Sequence, residues 1–352
     1  MRLLDNKIYV EDIDRLTKEN LDFNKLKNSS ILVTGARGLI GSFLIDTIMY
    51  LNKNKGLNCH VYALGASDAG LERFKEYCNN PLFTYIIADV NNELKIKYEI
   101  DYIIHLASNT HPLLYATKPI STILTNVWGT KNLLDFAVQS KCKRFLFASS
   151  VEVYGENRND VELFDEDYSG YINSNTLRAG YPESKRCGEA LLQAYKEEKN
   201  IDVVIARIAR SYGPTIKKND SRAISQFIDR ALENEDIILK SEGLQLCSYT
   251  YVYDVVFGLL LVLLSGSNGE AYNISYPESD ISLKEMATLV ATYVGKKVVF
   301  DIPSDTEKKG FSKATKARMS NDKIKSIGFI PRFDMKEGIK RTIDILKEVN
   351  DE

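Results

Sequence analysis

The chain has 352 residues, with 46 Lys and Arg against 48 Asp and Glu and a formal charge of −2. That length supplies material for one large or two modest domains, and the near-neutral balance gives no general attraction to nucleic acid or to membranes. Five cysteines (Cys59, Cys78, Cys142, Cys187 and Cys247) are odd in number, scattered and free of any C-x-x-C pair; this argues against a disulfide framework or a thiolate zinc site and points to reduced thiols in the cytoplasm.

Residues 1–30 read as an amphipathic extension with Val10, Ile13 and Leu16 on one side, too charged for a secretion signal. From Ile31 short apolar runs alternate with helical stretches. The run ILVTG precedes a helix over 39–51, HVYAL precedes 70–78, and FTYIIAD follows. Then come YIIHLAS with 119–140, RFLFASS with 182–198, and DVVIARI. Such alternation predicts an α/β fold, a Rossmann-type doubly wound parallel sheet with buried strands. After Tyr212-Gly213-Pro214 the rhythm breaks. Helical pieces at 221–234, 253–264, 282–294 and 335–348 mix with short strands at 236–240 and 297–301. The expected division is a dinucleotide-binding domain over 31–210, joined by part of 245–270, and a smaller α/β substrate lobe over 211–352. The longest apolar run, around Val255–Leu264, is too short to span a membrane. No His, Cys and Asp cluster has metal-ligand spacing.

The segment Thr34-Gly35-Ala36-Arg37-Gly38-Leu39-Ile40-Gly41 follows the first strand and opens a helix. Glycines there permit a tight turn and close backbone approach to a pyrophosphate, whose charge a helix N-terminus favours. In NAD enzymes an acid closes the second strand to hold the ribose; here Gly65 stands in that place. Arg37, inside the turn, can face a 2′-phosphate, so the cofactor is NAD(P) with a lean towards NADP. The alternative has Arg37 in solvent and Ser67 or Asp68 on the ribose. Asp89, after the third strand, is either an adenine contact or a strand-end cap. His105 reads as a packed, hydrogen-bonded strand residue, and Trp128 as core or dimer packing.

Tyr181 precedes Lys185 by four residues, with Pro182 between them, at the start of a helix. The two side chains share one helix face. An ammonium and a helix N-terminus both favour a phenolate. Lowering a phenol from about 10 to about 7 needs roughly 4 kcal/mol of differential stabilisation. Alone, the pair proves little, and a solvated helix face is the favoured reading.

The glycine turn, the strand end Ser149-Ser150-Val151-Glu152-Val153-Tyr154-Gly155 and Tyr181-x-x-x-Lys185 occur in this order. Together they resemble the extended short-chain dehydrogenase/reductases that modify nucleotide sugars, the NAD-dependent epimerase/dehydratase family. The likeness runs from about Ile31 to Lys347. Within that family the chain is most similar to the decarboxylases of UDP-glucuronate. The similarity lies in His105-Leu106-Ala107-Ser108, Thr125-Asn126, Gly129-Thr130, Asp167-Tyr168-x-Gly170-x-Ile172-Asn173 and Arg178-x-x-Tyr181-x-Glu183-x-Lys185-Arg186.

The resemblance implies that Tyr181 takes a proton from the sugar 4-hydroxyl as C4 is oxidised. Lys185 would hold the ribose and depress the Tyr181 pKa, and Ser150 would bind the same sugar oxygen. Glu152 is the implied acid/base for the step that follows, with a simple ion pair as its alternative role. Gly35, Arg37, Gly38, Leu39, Ile40, Gly41, Asp89, Val90, Leu106, Ala107, Ser108 and Asn126, with Tyr181 and Lys185, are the implied cofactor contacts. Ser108, His111, Ser150, Glu152, Arg178, Arg210 and Arg318 are the implied substrate contacts, with Lys316 weaker. A homodimer through the Tyr181 helix and the 119–140 helix is also implied.

The departures shape the reading. Val151 stands where 4,6-dehydratases carry an aspartic acid, which disfavours dehydration. Cys247 stands where relatives carry an arginine on the diphosphate, and Arg210 where they carry an asparagine. Either Arg210 compensates for Cys247 or the substrate differs. The expected function is oxidation of a nucleotide-linked sugar, UDP-linked in the first reading, at C4, with decarboxylation of UDP-glucuronate as the first specific reaction. A 4-epimerase, a 4-keto-sugar reductase or a non-catalytic dinucleotide-binding regulator are the alternatives.

Overall fold

A computed structural model describes residues 2–110, 112–218, 220–301, 303 and 316–350. The elements in chain order are α1 (Lys7–Leu16), β1 (Ser30–Thr34), α2 (Leu39–Lys55), β2 (His60–Gly65), α3 (Ala69–Arg73), β3 (Phe83–Ile87), β4 (Tyr102–His105), α4 (Pro112–Thr117), α5 (Pro119–Gln139), β5 (Arg144–Ser150), α6 (Gly180–Lys199) and β6 (Val203–Ile208). There follow β7 (Arg210–Tyr212), α7 (Ala223–Leu232), β8 (Ile237–Leu239), β9 (Leu246–Cys247), β10 (Tyr249–Tyr251), α8 (Val252–Ser265), β11 (Ala271–Ile274), β12 (Ile281–Ser282), α9 (Leu283–Tyr293), β13 (Val298–Phe300), β14 (Lys316–Ala317), α10 (Asp322–Ser326) and α11 (Met335–Asn350).

Seven parallel strands form the main sheet in the order β3-β2-β1-β4-β5-β6-β11. Apart from the edge strand β3, their continuous apolar runs are buried on both faces, as parallel strands covered by helices require. Ile31, Val33, Val61, Ile104, Leu146 and Val204 point to one face, into a core shared with α1, α2 and α8. Leu32, Leu64, Ile103, Phe145, Phe147 and Ile205 point to the other, against Leu133, Leu134 and Ala137 of α5 and Leu192 of α6. The second half of the chain adds α7, α9 and α11 around two short parallel pairs, β7 with β10 and β8 with β13, and the small sheet β12-β9-β14. Its apolar residues continue the core on the α2 face.

Two expectations shift. The return to the main sheet takes all of α8 and then strand β11, so it extends to Ile274, past the expected end at 270. The expected helix over 70–78 is only α3 followed by a tight turn at Lys75–Tyr77.

The N-terminal extension is part of the core. In α1 the buried face is Tyr9, Asp12, Ile13 and Leu16, with Val10 only half-buried. Tyr9 packs edge-on against Phe43 and donates a 2.6 Å hydrogen bond to Asp46 in α2. Asp46 is fully buried and also accepts from Tyr77 at 3.0 Å and from Arg73. Asp12, equally buried, accepts from Tyr251 and pairs with Arg341 at 2.6 Å. One short helix thus ties α2 to the second half of the molecule through two buried carboxylates.

Removing one partner of a buried ion pair leaves the other charge uncompensated, at a cost of about 3–5 kcal/mol. Asp46→Ala is therefore expected to lose stability of that order in urea unfolding, and Tyr77→Phe about 1 kcal/mol. An Asp46→Ala midpoint within error of the parent would contradict this account of the extension.

Candidate active site

The site forms at the carboxyl ends of β1, β4 and β5, where an open parallel sheet places its ligands. At the end of β1 the glycine turn begins. Gly35 has φ of 63°, a left-handed conformation that disfavours other residues. A Cβ there would lie 2.8 Å from the carbonyl of Leu106, and one at Gly41 would lie 2.7 Å from the Gly35 oxygen. Gly38 caps α2 in an extended conformation, leaving the first turn of that helix open above the β1 end. A second-lobe residue, Thr215, donates to the Leu39 carbonyl at 2.6 Å and fastens the two halves beside the turn. This glycine-rich turn, at a helix N-terminus, fits a dinucleotide pyrophosphate.

The remaining implied cofactor residues cluster along the same edge. Thr34 accepts from the Ala107 N–H at 3.1 Å and shares a 2.8 Å hydrogen bond with His105 Nδ1. His105 is buried, its pKa driven well below 6.5 by burial and then by the Lys185 charge, so it is a neutral packed residue. Ser108 donates to Asn126 at 2.7 Å, and Asn126 donates to Ser184 at 2.9 Å. That chain fixes α5 against α6. Val90 is buried beside Gly129, whereas Asp89 is exposed and its carboxylate accepts from the backbone of Asn91, as a strand-end cap does.

Gly65 has a local cause. A Cβ there would fall 2.1 Å from the Tyr85 hydroxyl, which donates to the Ser67 carbonyl. The missing acid is thus displaced by a neighbouring phenol, and it carries no message about a 2′-phosphate. Arg37, half-exposed, lies close enough to Lys217 for its charge to lower that lysine's pKa, after the effect of burial.

On β5 and α6 the catalytic candidates converge. Lys185 is 2% exposed; its Nζ donates to the Ala148 carbonyl at 2.7 Å and lies 4.6 Å from the Phe147 ring centre. Burial pushes its pKa down to about 7, opposed by Glu189 one turn on. Tyr181 is buried, and Ser150 and Tyr115 lie near enough to its hydroxyl to act on its ionisation. Burial raises its pKa, Ser150 pulls it back, Glu152 raises it, and Arg178 and Tyr115 lower it.

Tyr115, which sequence reasoning passed over, stacks on Tyr181 with centroids 4.7 Å apart. The Arg178 guanidinium lies 4.8 Å from the other face of Tyr115 and 2.7 Å from Glu152. The result is a layered series: carboxylate, guanidinium, phenol, phenol. Its only sequence signal is a tyrosine four residues before Pro119, on what the structure shows to be α4. The ion pair also fixes where the Glu152 carboxylate sits on the wall.

Tyr181, Ser150, Glu152, Arg178 and Arg210 all line one cavity of roughly 400 Å³. Its far wall is apolar, with Ile224, Phe227, Leu239 and Leu283, and Arg222, Gln245, Cys247 and Tyr249 also face it. Cys247 is close enough to Arg210 for each to perturb the other, as the compensation idea requires. Val151 lies on the wall with no proton to give. Arg318 does not line the cavity; it is paired with Asp280 at 2.7 Å and Glu162 at 3.2 Å. Lys316 is exposed and also absent from the wall. His111 lies outside the described residues. Trp128 is 49% exposed, so it is not core. Among the described residues no cluster of His, Cys, Asp and Glu could hold a metal, and no helix is long and apolar enough to cross a membrane.

The profile of the NAD dependent epimerase/dehydratase family matches residues 31–275. UDP-glucuronic acid decarboxylase 6 of Arabidopsis thaliana is 35% identical over 318 residues, covering 89% of this chain and 87% of its own. UDP-glucuronic acid decarboxylase 1 of Xenopus tropicalis is 32% identical, covering 90% of this chain and 72% of its own. Two crystal structures share the fold. The UDP-glucuronic acid 4-epimerase of Bacillus cereus, with UDP-glucuronic acid and NAD, has a TM-score of 0.77 at 23% identity, covering 91% of this chain and 99% of its own. The dTDP-glucose 4,6-dehydratase of Streptomyces venezuelae, with NAD, has 0.78 at 24%, covering 91% and 97%.

The Lys185 environment has a measurable consequence. Its folded pKa lies below the ordinary 10.5, so burial of the charged form destabilises the fold fully below about pH 7. The penalty fades as pH rises towards 10.5, where the unfolded chain also loses the proton. Lys185→Met, stripped of cofactor, is expected to melt higher than the parent at pH 7, with the gap closing by pH 10. A gap that widens with pH would contradict the assignment.

Proposed function

This chain belongs to the NAD dependent epimerase/dehydratase family, and from that premise we propose that it oxidises the sugar of a UDP-sugar at C4, with UDP-glucuronate as substrate and loss of its carboxylate as outcome. It is an enzyme of nucleotide-sugar modification, and NAD is the assigned dinucleotide. The reading rests on one observation: Ser150 and Tyr181 line the cavity that also holds Glu152 and Arg178, with Lys185 one helical turn after Tyr181 and buried behind the wall against the Ala148 carbonyl. The curated decarboxylases that match most of the chain supply the reaction class. A regulator with no chemistry has no use for this convergence.

The roles follow from the geometry. Gly35, Gly38 and Gly41 would hold the pyrophosphate, and Lys185 would reach the ribose of the nicotinamide half. Tyr181 accepts the proton of the 4-hydroxyl, and Ser150 shares that oxygen. Burial alone keeps the phenol neutral, so phenolate formation needs added positive charge, which an oxidised nicotinamide would supply while taking and later returning the C4 hydride. With C4 a ketone, the C6 carboxylate is β to a carbonyl. The C5–C6 bond breaks, carbon dioxide leaves, and its electron pair passes into an enolate over C5 and C4. A proton then adds at C5. Arg178 holds Glu152 at the cavity wall, where it can fix ring hydroxyls or a water for that proton. Val151 offers no acid to expel water, so elimination is disfavoured.

A homodimer through α5 and α6 completes the proposal. Ile120, Leu124 and Trp128 form an i, i+4, i+8 stripe on α5, 72%, 41% and 49% exposed. Light scattering should give the mass of two chains, and Trp128→Glu should give one; a parent monomer would defeat the dimer.

Incubation of the NAD-loaded protein with UDP-glucuronate should yield, by chromatography and mass spectrometry, a nucleotide sugar lighter by one carbon dioxide without net reduction of NAD. Tyr181→Phe should lower kcat by roughly 10²–10⁴-fold, the usual worth of a positioned base. An unchanged mass with a shifted retention time would replace decarboxylation by epimerisation, and undiminished Tyr181→Phe turnover would remove the base assignment.

A further inference from the structure

Two guanidiniums on the cavity wall share one carboxylate. Arg178 Nη2 lies 2.7 Å from Glu152 Oε2, and Arg210 Nη2 lies 3.9 Å from Glu152 Oε1. Glu152 can neutralise only one of them, and the shorter distance assigns it to Arg178. The third arginine on this wall, Arg222, has its own acid, Asp220, at 2.7 Å and donates to the Ser211 carbonyl. Among the described residues Arg210 has no second acid. Its closest electrostatic neighbours besides Glu152 are Cys247, Tyr249 and Tyr115. Cys247 is 3% exposed, and burial keeps its thiol protonated, so it supplies no counter-charge. Tyr249 stands opposite Arg210 in the β7–β10 register and is a buried neutral phenol.

The unmade hydrogen bonds agree with the charge count. Arg210 Nη1 and Arg178 Nε and Nη1 are buried and have no partner. A buried donor left unmatched costs about 1–3 kcal/mol, and more on a charged group. A chain keeps such donors where a ligand completes them. The position fits, since Arg210 is a neighbour of Tyr115, which stacks on Tyr181.

We propose that Arg210 is a substrate-binding residue that receives an anionic oxygen of the nucleotide sugar, with Arg178 locked on Glu152 beside it. The proposal rests on the nucleotide-sugar reading above. The anion has two possible sources of one chemistry, the diphosphate or the sugar carboxylate. Arg210 sets specificity in either case: in the first for a diphosphate over a monophosphate, in the second for a uronate over a neutral hexose.

The test is binding, read without turnover. UDP, UDP-glucose and UDP-glucuronate are titrated calorimetrically into the NAD-loaded parent and into Arg210→Gln. Loss of tenfold or more for all three ligands assigns Arg210 to the diphosphate. The same loss for UDP-glucuronate alone assigns it to the carboxylate. Parent-like affinity for all three in a variant that melts normally overturns the proposal. If Arg210→Gln does not fold, Arg210→Met, which fills the space without donors, is read in the same way. A parent that binds these ligands but releases no carbon dioxide defeats the decarboxylation reading and leaves Arg210 assigned. A parent that binds none of them defeats both.

Discussion

The site depends on keeping an ammonium out of water without a carboxylate in direct contact. Lys185 reaches the Ala148 carbonyl and the Phe147 ring because α6 lies very close to β5. Gly188 makes that approach possible: a Cβ at this position would be 2.6 Å from the Phe147 ring. The same closeness carries Tyr181, one turn before Lys185, to Ser150 at the strand end. Behind the lysine, Glu189 accepts from Ser149 at 2.5 Å and pairs with Arg207 at 2.7 Å. That acid moderates the lysine from a distance and leaves its Nζ uncommitted to a salt bridge. The arrangement costs stability and keeps a buried cation one helical turn from the phenol that has to lose its proton.

Around this centre, charge is distributed unevenly on purpose of position. One wall of the cavity is apolar, and the other carries arginines that outnumber their acids. Such a cavity discriminates by electrostatics near the reacting carbon and by shape further out. Rigidity comes from remote contacts. The helix α1 grips α2 through Asp46 and the second lobe through Asp12, while Thr215 ties the lobe to the first turn of α2. The glycine cradle and the substrate wall therefore belong to one continuous body, and the cofactor edge is held in register with the cavity.

Much of this was legible from residue order. Period and alternation located six of the seven strands of the main sheet, all but β11, and the long helices, because each is buried by pattern and ended by local chemistry. Pro119 at the first helical position of α5 is one such signal. The glycine turn, Ser150, Tyr181 and Lys185 were legible through the order of their motifs, which together resemble those of one family. What was not legible depends on pairs far apart in sequence. Tyr85 explains Gly65, and nothing near residue 65 predicts it. Tyr115 joins the site through a stack on a helix 66 positions later, from 115 to 181. Arg318 reads as a phosphate ligand until Asp280 and Glu162 claim it. In α1, Tyr9 leads the buried face because its hydroxyl finds Asp46, a partner no periodicity reveals.

The most direct test of the account is the fate of a deuterium placed at C4 of UDP-glucuronate. Oxidation at C4 with return of the hydride inside the same closed site predicts a slowed reaction and a decarboxylated product that keeps the label at C4. A product formed at the undeuterated rate, or one whose C4 label has been lost to solvent or to free dinucleotide, would contradict the proposal that Tyr181, Ser150 and Lys185 oxidise and restore this carbon.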